Sequence, residues 1–239
     1  MKGVRRRRAE VHAVLTGDVV KSSRLTVGRL GEARKTIAEA VHGFRAGRSE
    51  AFRGEPEFFR GDAWQLVLIE PRWALRVALL TQAKLRSKLN VDTRVSIGVG
   101  VAGHVDPKQV SLSTGEAFTL SGRALDAMTR NFDLTGALPD RAGAMALWLP
   151  VALRLCSGFV RRWTRRQAEI VGHALLLQNP EHELIARTLN PPVAKQTVTQ
   201  SLAGAGWRPL ADAMKAFEST NWARVAGAPA PRESTNDEP

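Results

Sequence analysis

The spacing of apolar residues switches period several times within the first 150 positions, and the order of those switches limits the fold more than any other feature of the chain. Residues 11–16, Val11-His12-Ala13-Val14-Leu15-Thr16, form the short apolar run of a buried strand. From Val27 to Phe44, Leu30, Ala33, Ile37, Val41 and Phe44 recur at helical spacing. Residues 46–56 are polar and Gly-rich, which predicts a loop. Residues 57–62 and 64–69 read as two short strands meeting at Gly61-Asp62. Pro71 suits the first position of a helix carrying Leu75, Leu79, Leu80 and Leu85. Thr93 to Val101 alternates apolar with small or polar residues, the period of a strand. A helix over 122–132 and a last strand over 143–149 complete the series. The order β-α-β-β-α-β with a trailing helix and strand predicts an α+β, ferredoxin-like domain over 11–150. Its mostly antiparallel sheet is expected to carry helices on one face.

From about residue 150 strand signals stop and short helical patterns follow, which predicts a second, all-α domain over 151–223. Residues 1–10, with Arg5-Arg6-Arg7-Arg8, read as a basic disordered arm, and the polar, Pro-containing 224–239 as a disordered tail. No run approaches the ~18 apolar residues that cross a bilayer, so no membrane partner is expected. The single cysteine, Cys156, excludes an intramolecular disulfide framework and a Cys-based zinc cluster, and points to a reducing, cytoplasmic setting. A net charge of +12 suits an anionic partner, of which nucleic acid is the commonest. The tryptophans Trp64, Trp73, Trp148 and Trp207 read as packing residues, and His12 as structural.

Two carboxylates stand out against this frame. Asp18 ends the first strand after Gly17, and Asp62 follows Gly61 where two strands meet. Carboxylates on adjacent strand ends can hold divalent cations, and such cations hold nucleoside triphosphates. The segment order resembles the catalytic domain of class III nucleotidyl cyclases. On that resemblance Asp18 and Asp62 match the two metal-binding Asp residues, for Mg2+ or Mn2+, and Arg94-Val95-Ser96-Ile97-Gly98-Val99 matches a later strand. Arg123 matches the arginine that stabilises the phosphate, while Thr119 stands where the family has asparagine. Thr offers one hydroxyl where Asn offers an amide with both donor and acceptor, so binding without turnover is expected. Lys21, Gly61, Thr119 and Arg123 are the nucleotide-binding residues this resemblance implies, and a homodimer follows because the family's sites form between subunits.

A second resemblance covers most of the chain. Thr16-Gly17-Asp18-Val19-Val20-Lys21-Ser22-Ser23, Arg60-Gly61-Asp62-Ala63-Trp64-Gln65 and Trp163-Thr164-Arg165-Arg166-Gln167 together are similar to SatD-like bacterial proteins. Many of these are cytoplasmic and carry a C-terminal helix-turn-helix. Here Thr164-x-x-Gln167 is a capping-box pattern. Beyond it, Ile185, Ala186 and Leu189, a break at Asn190-Pro191-Pro192, and then Val198 and Leu202 have helix-turn-helix spacing. The second helix would present Lys195, Gln196, Thr197, Thr199 and Gln200 to base edges, with Arg161, Arg162, Arg165 and Arg166 on the phosphates. The functional expectation is a DNA-binding transcriptional regulator with a cyclase-like domain that senses nucleotide or metal or dimerises. The alternative is an active metal-dependent nucleotidyl cyclase or nucleotidyltransferase.

Overall fold

A computed structural model of the chain describes residues 10–59, 61–106, 113–177 and 179–227. Residues 1–9 of the expected arm, Arg60, and residues 228–239 of the expected tail lie outside the described residues. The first part of the chain runs β1 (Val11–Val19), α1 (Val27–Arg45), β2 (Phe52–Phe59), β3 (Ala63–Leu68), α2 (Ala74–Leu89), β4 (Thr93–Val101), α3 (Glu116–Asp126), β5 (Leu134–Ala137) and α4 (Ala144–Val160). The strands form one sheet in the order β2-β3-β1-β4-β5. β1 lies antiparallel to β3 and to β4, and β5 adds parallel to β4.

Side chains along each strand alternate between the two faces of this sheet. Ala13, Leu15, Leu66, Leu68, Val95, Ile97 and Val99 share one core with Ile37, Val41 and Phe44 of α1 and with Leu75 and Leu79 of α2. Val14 and Val67 point the other way and pack with Ala117 of α3. Helices therefore cover both faces, not the single face expected. The cause lies in β4, whose residues on this second face are small. A Cβ on Gly98 would lie 2.3 Å from the Ala117 carbonyl oxygen and 2.5 Å from the Ser121 nitrogen. Without those side chains α3 settles directly on the strand, and Thr16 Oγ1 meets Ser121 Oγ at 2.8 Å.

Three further expectations change. The strand predicted over 143–149 is the start of α4, a 17-residue helix that holds Pro150 inside it. A short apolar run fits either period, and the edge position is taken by Leu134–Ala137, which the periodicity did not mark. The short helix predicted over 122–132 lies earlier, at Glu116–Asp126. β2 begins at Phe52, inside the predicted loop, and a register shift between Arg53 and Glu57 accommodates Gly54 and Pro56.

The second part of the chain is helical: α5 (Arg165–Leu176), α6 (His182–Thr188), α7 (Lys195–Gly204), α8 (Trp207–Ser219) and α9 (Trp222–Ala226). The capping box at the start of α5 is complete, with Gln167 N donating to Thr164 Oγ1 at 3.1 Å and Thr164 N donating to Gln167 Oε1 at 2.9 Å. No linker separates the two parts. α4 runs unbroken through residue 150, and Ala168, Ile170, Val171 and Leu175 of α5 join the same core as the sheet. Arg76 of α2, almost fully buried, pairs with Glu218 of α8 at 2.6 Å and donates to the Leu177 carbonyl at 3.0 Å. Burying a guanidinium requires such partners, so this pair ties α8 to α2. α9 extends into the stretch expected as tail, and Arg141 holds its end by donating to the carbonyls of Ala226 and Gly227. Trp64, Trp73 and Trp207 pack inward, whereas Trp148 lies on the surface of α4, against expectation.

Candidate functional site

The end of β1 and the turn between β2 and β3 lie side by side. Asp18 pairs with Ala63 across the ladder, and Val19 N donates to the Asp62 carbonyl at 3.1 Å. Gly61 adopts φ +89, a left-handed conformation that lets the strands turn at once. Arg34 of α1 clamps the turn, its Nε donating to the Gly61 carbonyl at 2.9 Å. After β1 the chain swings across the strand ends through Lys21, a non-glycine residue in left-handed conformation at φ 56, into a 3-10 turn over Ser22–Arg24. Ser22 Oγ thereby reaches and donates to Asp62 Oδ2.

Asp18 and Asp62 line a common cleft of about 750 Å³. Their carboxylates have separate partners. Arg94 of β4 faces Asp18 in the ladder and grips it bidentately, Nε donating to Oδ1 at 2.9 Å and Nη2 donating to Oδ2. The hydrogen bond to Asp18 raises the already high pKa of Arg94. Both oxygens of Asp18 thus meet a guanidinium where a shared cation would have to sit. Among the described residues no group of three or more His, Cys, Asp or Glu side chains is arranged to hold a metal ion. A Mg2+ or Mn2+ shared by Asp18 and Asp62, as the resemblance implies, would have to displace the Arg94 guanidinium.

The cleft continues towards the second part of the chain. Its cations are Lys21, Arg24, Arg86, Arg94, Arg130 and Arg161, against Asp18, Asp62, Asp92 and Asp133. Asp133 is buried, which pushes its carboxyl up, and the facing Arg161 guanidinium opposes that shift at 3.2 Å. Arg86 pairs with Asp92 and also donates to the carbonyls of Arg161 and Trp163 at 3.2 and 3.0 Å. The floor of the cleft is therefore bonded to the turn that leads from α4 into α5. With three of the carboxylates paired to Arg94, Arg86 and Arg161, the remaining Lys21, Arg24 and Arg130 give the cleft its positive balance.

The other predicted nucleotide residues stand apart from the cleft. Thr119 and Arg123 lie one turn apart on the exposed side of α3, and Thr119 donates back to the Gly115 carbonyl at 3.4 Å. Of the predicted phosphate clamp, Arg161 is turned into the cleft. Arg165 donates to the Ser87 carbonyl at 3.1 Å and to that of Lys88 at 3.3 Å, capping the C-terminus of α2. Arg166 pairs with Glu169 at 2.6 Å, and Arg162 is exposed. Arg165 is held there because α2 ends where α5 begins, and unpaired carbonyls at a helix C-terminus attract cations.

α7 presents a different surface. Val198 and Leu202 are buried against Ile185, Ala186 and Leu189 of the α6 segment, while Lys195, Gln196, Thr197, Thr199 and Gln200 are all exposed. Six residues, 189–194, connect the two helices, and Val193 N closes the turn on the Ala186 carbonyl at 3.1 Å. Thr199, although exposed, has its Oγ1 2.8 Å from His182 Nδ1 of α6 and so is already engaged within the protein.

Sequence reasoning missed Arg34, Arg86, Asp92 and Asp133, read Arg94 only as part of a strand, and assigned Arg161 to DNA phosphates rather than to this cleft. The role of Arg94 was within reach, since an antiparallel β1–β4 pair puts it directly opposite Asp18. The others come together only through packing of distant segments. No family model and no curated protein matches the chain. Among solved structures, the guanylyl cyclase Cya2 is similar over 53% of this chain and 74% of its own, with 14% identity and a TM-score of 0.36.

Proposed function

We propose that the chain is a DNA-binding regulator, read out through α7, whose cleft beside Asp18 and Asp62 takes a phosphate-bearing ligand without metal-dependent turnover. The observation that carries the DNA reading is the face of α7. Lys195, Gln196, Thr197 and Gln200 stand exposed in consecutive turns over the buried Val198 and Leu202. Gln reads adenine bidentately and Lys meets guanine or phosphate, and a net charge of +12 favours a polyanion. Of the basic cluster, Arg162 is exposed and has no side-chain partner among the described residues, so it can reach the backbone. Arg161, Arg165, Arg166 and Thr199 take no part in this reading, because each already has an intramolecular partner.

Support for the ligand comes from Lys21, Arg24 and Arg130, which line the cleft and have no carboxylate partner among the described residues. The motif resemblance to SatD-like proteins and to class III nucleotidyl cyclases, with a β2-β3-β1-β4 ferredoxin-like strand order, supports the same combination. The bidentate Arg94–Asp18 pair weighs against the catalytic alternative.

The test is selection of binding sites from random duplex DNA, then anisotropy titration with the wild type and a Lys195→Ala/Gln196→Ala/Gln200→Ala variant. Two lost base contacts at ~1–3 kcal/mol each predict at least ~30-fold weaker specific binding with unchanged circular dichroism. The loss of Lys195 should also lower the salt dependence by about one counterion. Failure to enrich any sequence, or an unchanged affinity in the variant, would refute the proposal.

A further inference from the structure

α4 carries an apolar surface that nothing in the described chain covers. Of the seven large hydrophobic residues exposed among the described residues, five lie on this helix: Met145 at 38%, Leu147 at 75%, Trp148 at 67%, Val151 at 42% and Leu155 at 68%. Ala144, Trp148, Val151, Leu155 and Gly158 follow the 4-3-4-3 spacing of one helical face, and Leu147 flanks it. Arg154 is the single charged residue in the 17-residue helix, and it lies along its edge over the Phe132 ring at 5.6 Å. The opposite face, Leu149, Leu153, Cys156 and Val160, belongs to the core. A solvated helix of a monomer would carry charge on its outer face, and α4 does not.

We propose that this stripe is the interface of a homodimer, in which α4 of one copy packs antiparallel on α4 of a second. Three arguments choose a second copy over other occupants. The first is the composition of the two terminal segments beyond the described residues. The described residues stop at Gly227, held by Arg141 close to the start of α4, and the following 228–239 hold no large apolar side chain. Residues 1–9 offer only Met1 and Val4 beside four arginines. Neither segment can replace water over such a surface. The second is area. The fractional exposures correspond to roughly 500 Å² of apolar side chain per copy. Two copies together reach about 1,000 Å², the lower bound of a specific interface, before the flanking small residues are added.

The third is self-complementarity, which a two-fold interface demands. With the axis at Val151, Leu147 of one copy meets Leu155 of the other. Ala144 meets Gly158, so the two backbones can approach closely at both ends. Arg154 meets Trp148, a cation over an aromatic face, and no like charges are brought together.

The experiment uses the full chain and reads mass by light scattering and sedimentation at tens of micromolar. The wild type should run at twice its 26.1 kDa mass. A Leu147→Glu/Leu155→Glu variant should run as a monomer with unchanged circular dichroism, because both side chains are exposed within one copy, and its melting temperature should no longer depend on protein concentration. A Val151→Cys variant should form a disulfide-linked dimer on mild oxidation, while Val27→Cys, 90% exposed on α1, should not. Cys156 is buried and does not confuse the result. A monomeric wild type, a double-glutamate variant that still dimerises, or equal cross-linking at position 27 would each overturn the proposal.

Discussion

Replacing Gly98 with alanine tests the contact on which the second face of the sheet depends. The new methyl group would fall 2.3 Å from the Ala117 carbonyl oxygen and 2.5 Å from the Ser121 nitrogen, where ordinary contact begins at 3.4 Å. Both obstacles are backbone atoms of α3, so no side chain can rotate away. The helix must lift by about 1 Å, weakening its packing on Val14 and Val67 and the Thr16–Ser121 hydrogen bond. Overpacking of this kind costs about 1–3 kcal/mol. Alanine also restricts the unfolded chain, which returns ~0.4–1 kcal/mol. The net loss is about 1–2 kcal/mol, or roughly 2–8 °C in Tm for a chain of this size. Gly122, on the same helix, is the control, since a Cβ there meets nothing within 4 Å. Gly122→Ala should raise stability by ~0.5–1 kcal/mol through helix propensity alone. Urea unfolding and thermal melts of the two variants should therefore move in opposite directions. A Gly98→Ala protein as stable as wild type would show that α3 does not rest on β4 as described.

Two further outcomes follow from buried titratable groups. Burial on β1 lowers the pKa of His12, and Glu10 at 3.5 Å only partly opposes this, so the folded state binds the proton less readily than the unfolded chain. Its stabilisation is complete above the unfolded value near ~6.5 and is lost as pH falls through the depressed folded value. Urea midpoints between pH 8 and pH 4.5 should fall less steeply in His12→Val than in wild type, and parallel curves would refute this. Burial likewise pushes the Cys156 thiol up to about 11. The native protein should resist a thiol reagent at pH 8 and react fully once unfolded, whereas rapid labelling of the native form would contradict the packing of α4.

Elements written in local patterns are legible in the chain itself. α1 runs over Val27–Arg45 where the 3.6 period predicts it, β4 over Thr93–Val101 where the alternation does, and Thr164 and Gln167 close their capping box as spaced. Such features depend on residues within a few positions of one another, and the sequence by itself determined them. Charged groups were legible as residues but not as roles. Asp18 and Asp62 do come to one cleft, yet the nearest cation to Asp18 is Arg94, and Arg161 and Arg165 bond to the protein rather than standing free.

Only the tertiary structure decided the rest. The run from Ala144 to Leu149 is helical because Leu149 and Leu153 reach the core beside Gly136 of β5, while Trp148 and Leu155 are left outside. α3 occupies the second face because Gly98 and Gly100 leave room for its backbone. In each case the outcome depends on what lies opposite a residue in space, and an apolar run or a carboxylate carries no record of its distant neighbour.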